Sequence, residues 1–220
     1  MNWIGIAKYL TNNWLEIVGV VTCILGTWLT AKRKIACWPV ELISDFAYLA
    51  VFYQARLYAG ALLILSGLPL TFYSWWYWHR GFQKDGEVLV VRQPLSSLLT
   101  GLVIGVIGSF ALGIWMKHIH AALPYLDSTL TSFSVIGGWW EMRKYISNWW
   151  LWIAVNVIYV GEFVYQNLLA TALLYVGLIV LSVFGIREWK RAALASELAA
   201  KEAEGQIAAC TTLSSGSPAM

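Results

Sequence analysis

From residue 12 to residue 188 the chain is a succession of apolar runs broken by short charged or turn-forming segments. A helix that crosses a bilayer needs roughly 20 mostly apolar residues, because the hydrocarbon core is about 30 Å thick. The runs at 12–31, 38–55, 57–79, 95–116, 124–142, 148–166 and 168–188 therefore predict an all-α membrane protein of seven transmembrane helices. Only 12% of the residues are charged and 59% are hydrophobic, whereas an ordinary soluble domain carries about 25% charged residues. A water-soluble fold of this composition would expose far too much apolar surface. The fourteen Trp and eleven Tyr suit the membrane interfaces, where an amphipathic ring meets both solvents. No small-residue cleavage site follows a short apolar core near the N-terminus, so the first run reads as a retained helix.

Lys and Arg distribution sets topology, since basic loops stay on the cytoplasmic side during insertion. Alternating the loops across seven spans places Lys32 to Lys34, Arg80, Lys84, Arg92, Arg143, Lys144, Arg187, Lys190, Arg191 and Lys201 on one side, and only Lys8, Arg56 and Lys117 on the other. This places the N-terminus outside and the C-terminus in the cytoplasm. Beyond the last span, residues 190–204 are rich in Ala, Glu and Lys and predict a helical extension; 205–220 are small and polar and predict a disordered tail.

Sliding the chain against itself by 111 residues aligns 26–80 with 137–191 without a gap. Gly26 meets Gly137, Trp28 meets Trp139, Trp38 meets Trp149, Tyr48 meets Tyr159, Phe52 meets Phe163, Trp78 meets Trp189 and Arg80 meets Arg191. Leu and Ala matches carry little weight in so apolar a chain, but Trp and Gly pairs do. Each copy holds three helices, so a direct fusion would invert the second, and the unmatched fourth helix restores its direction. The predicted architecture is 3+1+3 with two parallel three-helix repeats, a layout known among transporters. The divisions are 1–80 for the first repeat, 81–123 for the linker with helix four, 124–191 for the second repeat and 192–220 for the tail.

Polar groups at membrane depth are costly, about 2.5 to 3.5 kcal/mol for an ionisable residue on insertion scales, and so need a partner, a cavity or a function. Span two carries Glu41, Ser44, Asp45 and Tyr48, and its copy carries Asn148, Trp152, Asn156, Tyr159 and Glu162. Trp38, Glu41 or Asp45, and Tyr48 recur at three or four residues and share a face, as do Trp149, Trp152, Asn156 and Tyr159. Facing each other, the two copies would form an aromatic box with a few hydrogen-bonding groups. Such a box suits a flat heteroaromatic ring with a hydroxylated portion, and a cationic ring most of all. Against this, Trp38, Trp149 and Trp150 lie near helix ends and have a competing reading as interface anchors, and Glu16 and Glu41 read as interfacial. Asp45 and Asn156 sit at equivalent mid-helix positions, where function is the better explanation. Ser66, Gly67, Gly101, Gly105, Gly108 and Gly113 read as close-approach positions between helices, Pro69 as a kink. His79, His118 and His120 read as interfacial. Cys23, Cys37 and Cys210 show no metal or disulfide spacing.

Ala31-Lys32-Arg33-Lys34 leading to Trp38-Pro39, then Asp45 to Tyr48 and Phe52-Tyr53, with Asn148-Trp149-Trp150-Leu151-Trp152 and Gly185 to Lys190, together resemble the bacterial nicotinamide riboside transporter (PnuC) family of vitamin carriers. The resemblance runs over residues 12–191 and includes the duplication. It implies facilitated uptake of a vitamin-like nucleoside, with trapping by a separate cytosolic kinase. It also implies that Trp149, Trp150 and Asn156 line the substrate path with polar groups of the other repeat. Gly60, Ile64 and Gly138 stand where relatives usually carry polar side chains, so thiamine and riboflavin remain alternative cargoes.

The full set of candidate substrate-binding residues is Trp38, Asp45, Tyr48, Asn148, Trp149, Trp150, Trp152, Asn156 and Tyr159. No catalytic residue, metal ligand or cofactor is expected, and no nucleic-acid partner. The expected partners are a small vitamin and the lipid bilayer, with a homo-oligomer left open. A membrane-embedded enzyme would need a paired carboxylate, His cluster or nucleophile facing one cavity, and a scaffold subunit would need no polar pocket. No Gly-rich stretch ending in Gly-Lys-Ser/Thr is present, which speaks against ATP coupling within the chain.

Overall fold

The computed structural model describes residues 14–54, 58–81, 89–118, 123–165 and 169–215. Lys8, Arg56, Lys84, His120, the connections 55–57 and 166–168, and residues 216–220 lie outside them. Seven helices follow one another: α1 Trp14–Ala31, α2 Cys37–Gln54, α3 Tyr58–Arg80, α4 Leu95–His118, α5 Pro124–Met142, α6 Asn148–Tyr165 and α7 Leu169–Ser215. Adding 111 to the bounds of α2 gives those of α6, and the ends of α1 and α5 and the starts of α3 and α7 are related in the same way. Among the described residues the fold is the seven-helix 3+1+3 arrangement the sequence predicts.

The duplication extends to backbone detail. Arg33 and Lys144, related by the offset, both adopt positive φ, 58° and 65°. Arg33 N–H donates to Thr30 O and Lys34 N–H to Leu29 O, both at 2.9 Å; Lys144 N–H donates to Glu141 O (2.9 Å) and Tyr145 N–H to Trp140 O (3.0 Å). Each copy thus ends its first helix in a Schellman turn with a basic residue at the left-handed position, where glycine is usual.

α1 packs on α2 and α7, α5 packs on α6 and α3, and α4 lies against α5. The first helix of each repeat therefore meets the third helix of the other. Two indoles fix this exchange. Trp78 Nε1 donates to Met142 O and Trp189 Nε1 donates to Thr30 O, each at 3.0 Å and buried. Around them Ala31, Cys37, Trp38, Trp149 and Ile186 complete a buried aromatic cluster at the basic end of the bundle. There Lys32 pairs with Glu188 (3.4 Å), Arg143 and Lys144 lie over the Tyr77 ring, and Val91 pairs its backbone with Lys144 and Ile146. Burial lowers the pKa of the Lys144 ammonium.

By length and composition α1, α4 and α7 are apolar enough to cross a membrane. The other helices carry polar residues that turn inward: Ser44 in α2, Ser74 in α3, Ser128, Ser132 and Glu141 in α5, and Asn156 in α6 are all buried. Several hydroxyls are satisfied by their own helix, as when Ser74 donates to Leu70 O (2.7 Å) and Ser182 to Leu178 O (2.8 Å), the solution available where water is absent. The outside is apolar instead, with Leu95, Leu99, Val103, Ile107, Phe110 and Ile114 of α4 each more than half exposed. The opposite face of α4 is its small-residue row, where Trp140 and Phe133 lie against Gly101 and Gly105. A Cβ on Gly67 would meet nothing within 4 Å among the described residues, so this glycine shows no such approach.

α3 runs through Pro69 without a break, with the proline inside the helix. One further expectation is corrected. α7 does not stop at residue 204 but continues to Ser215, so 205–215 is helix rather than disordered tail. The reason lies in the composition: Ala, Glu, Lys and Gln dominate up to Cys210, and these favour helix strongly enough for one Gly to be carried along.

Candidate functional site

A cavity of about 330 Å³ lies between the repeats, lined by Cys23, Thr27 and Thr30 of α1, Glu41, Ser44 and Asp45 of α2, Thr71 of α3, Ser134 and Glu141 of α5, Trp149, Trp152, Asn156 and Tyr159 of α6, and Tyr175, Leu178 and Ser182 of α7. The spacings explain the lining. Residues 149, 152, 156 and 159 fall at intervals of three and four and share one face of a helix, as do 175, 178 and 182 on α7 and 23, 27 and 30 on α1.

Hydrogen bonds shape the polar side. Thr30 Oγ1 donates to Glu41 Oε1 (3.3 Å), Thr71 Oγ1 donates to Asp45 Oδ2 (3.4 Å), and Trp152 Nε1 donates to Glu141 Oε2 (2.9 Å). Ser44 Oγ donates to Gly19 O (2.9 Å), binding α2 to α1 beside the site. Behind these groups the helices are tight: a Cβ on Gly26 would lie 2.7 Å from Glu41 Cγ. The aromatic side consists of Trp149, Trp152, Tyr159 and Tyr175, with Tyr159 and Tyr175 in ring contact at 4.9 Å. Trp149 is 1% exposed, and its indole N–H has no acceptor among the described residues. Three carboxylates and no Lys, Arg or His line the cavity among the described residues.

Five of the nine predicted site residues, Asp45, Trp149, Trp152, Asn156 and Tyr159, come together here. Four do not. Trp38 is buried in the aromatic cluster, edge-on to Trp78 at 5.2 Å, and Ser74 stands where the second repeat has Gly185, the glycine over which Trp149 leans. Tyr48 turns instead onto Gly19; the equivalent position in the second repeat is the buried Leu130, which offers no such seat, so Tyr159 faces the cavity. Asn148 is fully buried at the start of α6 and its side-chain amide donates to Tyr145 O (2.6 Å), closing the turn. Trp150, one residue on from Trp149, points outward, 57% exposed, with the Lys190 ammonium over its ring. Glu162 is not among the lining residues.

Glu41, read from sequence as interfacial, lines the cavity, and Glu141, Thr71, Tyr175 and Ser182 were not singled out at all. The internal offset held the signal for three of them. It pairs Thr71 with Ser182, a hydroxyl in each copy, and Glu141 with Thr30.

Known proteins resemble this chain in sequence, and one of them in fold. The family model for nicotinamide mononucleotide transporters matches residues 13–191. The nicotinamide riboside transporter PnuC of Escherichia coli (strain K12) is 26% identical, over 80% of this chain and 85% of its own length. The Neisseria mucosa transporter of the same name is 27% identical, over 82% and 73%, and the riboflavin/roseoflavin transporter RibM of Streptomyces davaonensis is 22% identical, over 86% and 92%. The crystal structure of a vitamin B3 transporter, PnuC, superposes with a TM-score of 0.73 over 87% of each chain at 24% identity.

Proposed function

The chain belongs to the nicotinamide mononucleotide transporter family, and from that premise we propose that it is a facilitator of nicotinamide riboside uptake across a bacterial inner membrane. The observation that carries the cargo is the cavity between the repeats, lined by the aromatic rings of Trp149, Trp152, Tyr159 and Tyr175 together with Asn156 and the carboxylates of Glu41, Asp45 and Glu141. Stacking on a flat pyridinium and hydrogen bonding to a ribose call on these two kinds of group. About 330 Å³ is at the small end of ligand pockets, which run from about 300 to 1,000 Å³, and fits one ring plus a pentose.

Asp45, Asn156, Trp149, Trp152 and Tyr159 are the proposed cargo contacts, joined by Thr71 and Ser182. The gathering of Lys32 to Lys34, Arg80, Arg92, Arg143, Lys144 and Arg187 to Arg191 at one end supports a cytoplasmic C-terminus and an external N-terminus. Transport runs down the cargo gradient, and net accumulation needs a separate cytosolic kinase to trap the arriving nucleoside.

The similarity to a riboflavin/roseoflavin transporter supports a second reading, a flavin cargo. A neutral tricyclic ring gains nothing from three carboxylates and needs more room. Uptake into liposomes containing this protein alone decides the matter. Labelled nicotinamide riboside is expected to enter faster than into empty vesicles, with riboflavin excluded. Entry of riboflavin without nicotinamide riboside would replace the first reading by the second.

A further inference from the structure

The two repeats make the same hydrogen bond with its ends exchanged. Position 30 corresponds to 141 and position 41 to 152. In the first repeat the donor, Thr30, is on the first helix and the acid, Glu41, on the second. In the second repeat the acid, Glu141, is on the first helix and the donor, Trp152, on the second. Besides Asp45, the cavity therefore receives Glu41 from the first repeat and Glu141 from the second, on non-equivalent helices, and each accepts a hydrogen bond from a neutral donor.

A carboxylate taken out of water is stabilised by an opposite charge far more than by a single neutral hydrogen bond. Among the described residues the cavity lining contains no Lys, Arg or His to supply that charge. Four aromatic residues, Trp149, Trp152, Tyr159 and Tyr175, line the same cavity as the acids, and aromatic π-systems favour a cation. The geometry points to Glu41 and Glu141 as specificity-determining residues that select a cargo with a fixed positive charge on its ring. Glu141 also acts as a positioning residue, holding the indole of Trp152. This inference rests on the transport reading above and deepens it.

The test compares nicotinamide riboside with its reduced, dihydropyridine form, which has the same heavy atoms and an uncharged ring. Binding to the purified full-length protein is followed by quenching of Trp fluorescence, with thiamine (cationic) and riboflavin (neutral) in parallel. The wild type is expected to prefer the oxidised form by about thirtyfold, the scale set by loss of one partner of a buried charge pair. Glu41→Gln and Glu141→Gln each shrink that ratio, chiefly by weakening the cation. Gln at 141 still accepts from Trp152, so it removes charge while keeping the ring in place. Asn156→Leu weakens both forms together.

Equal wild-type affinity for the two forms overturns the inference without recourse to any variant, as does a ratio unmoved by both Gln substitutions. If neither form binds but thiamine does, and the Gln variants weaken it, the nicotinamide riboside reading falls and the selection for positive charge stands. Binding of riboflavin alone, or of none of the four, removes both.

Discussion

Asp45 and Asn156 occupy equivalent places in the two repeats and both line the cavity, which makes them the most informative pair of side chains in the molecule. Asn156 is 5% exposed, and replacing it by Leu leaves the polar atoms of the cargo without a partner, an effect of about 1 to 3 kcal/mol. Asn156→Leu is expected to weaken nicotinamide riboside binding by tenfold or more in a fluorescence titration, with the melting temperature in detergent nearly unchanged. Unaltered affinity would put the cargo elsewhere. At the turns, Arg33 and Lys144 hold positive φ, a region that disfavours β-branched residues above all. Arg33→Val is therefore expected to lower stability by about 1 to 2 kcal/mol relative to Arg33→Gly, read as a difference in melting temperature. The sequence disclosed the face formed by Trp149, Trp152, Asn156 and Tyr159 because helical spacing is enough to find a face. It did not disclose that Trp38 and Tyr48 leave theirs, since that depends on Ser74 in place of a glycine and on Gly19 in place of Leu130. Glu41 was ambiguous for a related reason: near the start of a helix, depth depends on what packs above it.

Between elements, the contacts that matter are the exchanged ones, α1 with α7 and α5 with α3. Trp78 and Trp189 each give an indole N–H to a backbone carbonyl of the other repeat, and those carbonyls belong to the last turns of α1 and α5. Trp78→Phe and Trp189→Phe keep most of the ring volume and leave a buried carbonyl short of a donor, which costs about 1 to 3 kcal/mol. The donors are repeat-related but the acceptors are one position out of register, and Thr30 O keeps the Arg33 N–H as a second donor, so Trp78→Phe is expected to lower the melting temperature more than Trp189→Phe; equal losses would mean that the second donor gives no compensation. Element boundaries were well legible in the sequence, since hydrocarbon thickness and charged breaks fix them. The exception was the end of α7, where 205–215 combines Gln and Ala with Gly, Thr and Ser and lacks the apolar period by which the spans were recognised.

For the molecule as a whole, hydropathy alone identifies three helices as spans, while the charge alternation and the 111-residue offset require seven. The discrepancy is physical: the other four helices carry more Trp, Tyr, Ser, Asn and acidic residues, which lower mean hydropathy while serving the membrane interfaces and the interior. The proposed direction of insertion is testable on the intact molecule. With the native cysteines replaced, a single Cys at Lys201 is expected to react with a membrane-impermeant maleimide in inside-out vesicles and to stay protected in intact cells; the reverse pattern would invert the topology. The exchanged bonds of Thr30 with Glu41 and of Trp152 with Glu141 have a consequence for how a cargo lies. Two identical halves would accept a lopsided molecule equally well in either of two poses, head toward one repeat or head toward the other, and a carrier that did so would present its cargo to the exit in both orientations. Placing the acid on the second helix in one half and on the first in the other makes those poses unequal, so a doubled gene has become a pocket with a single sense of head and tail.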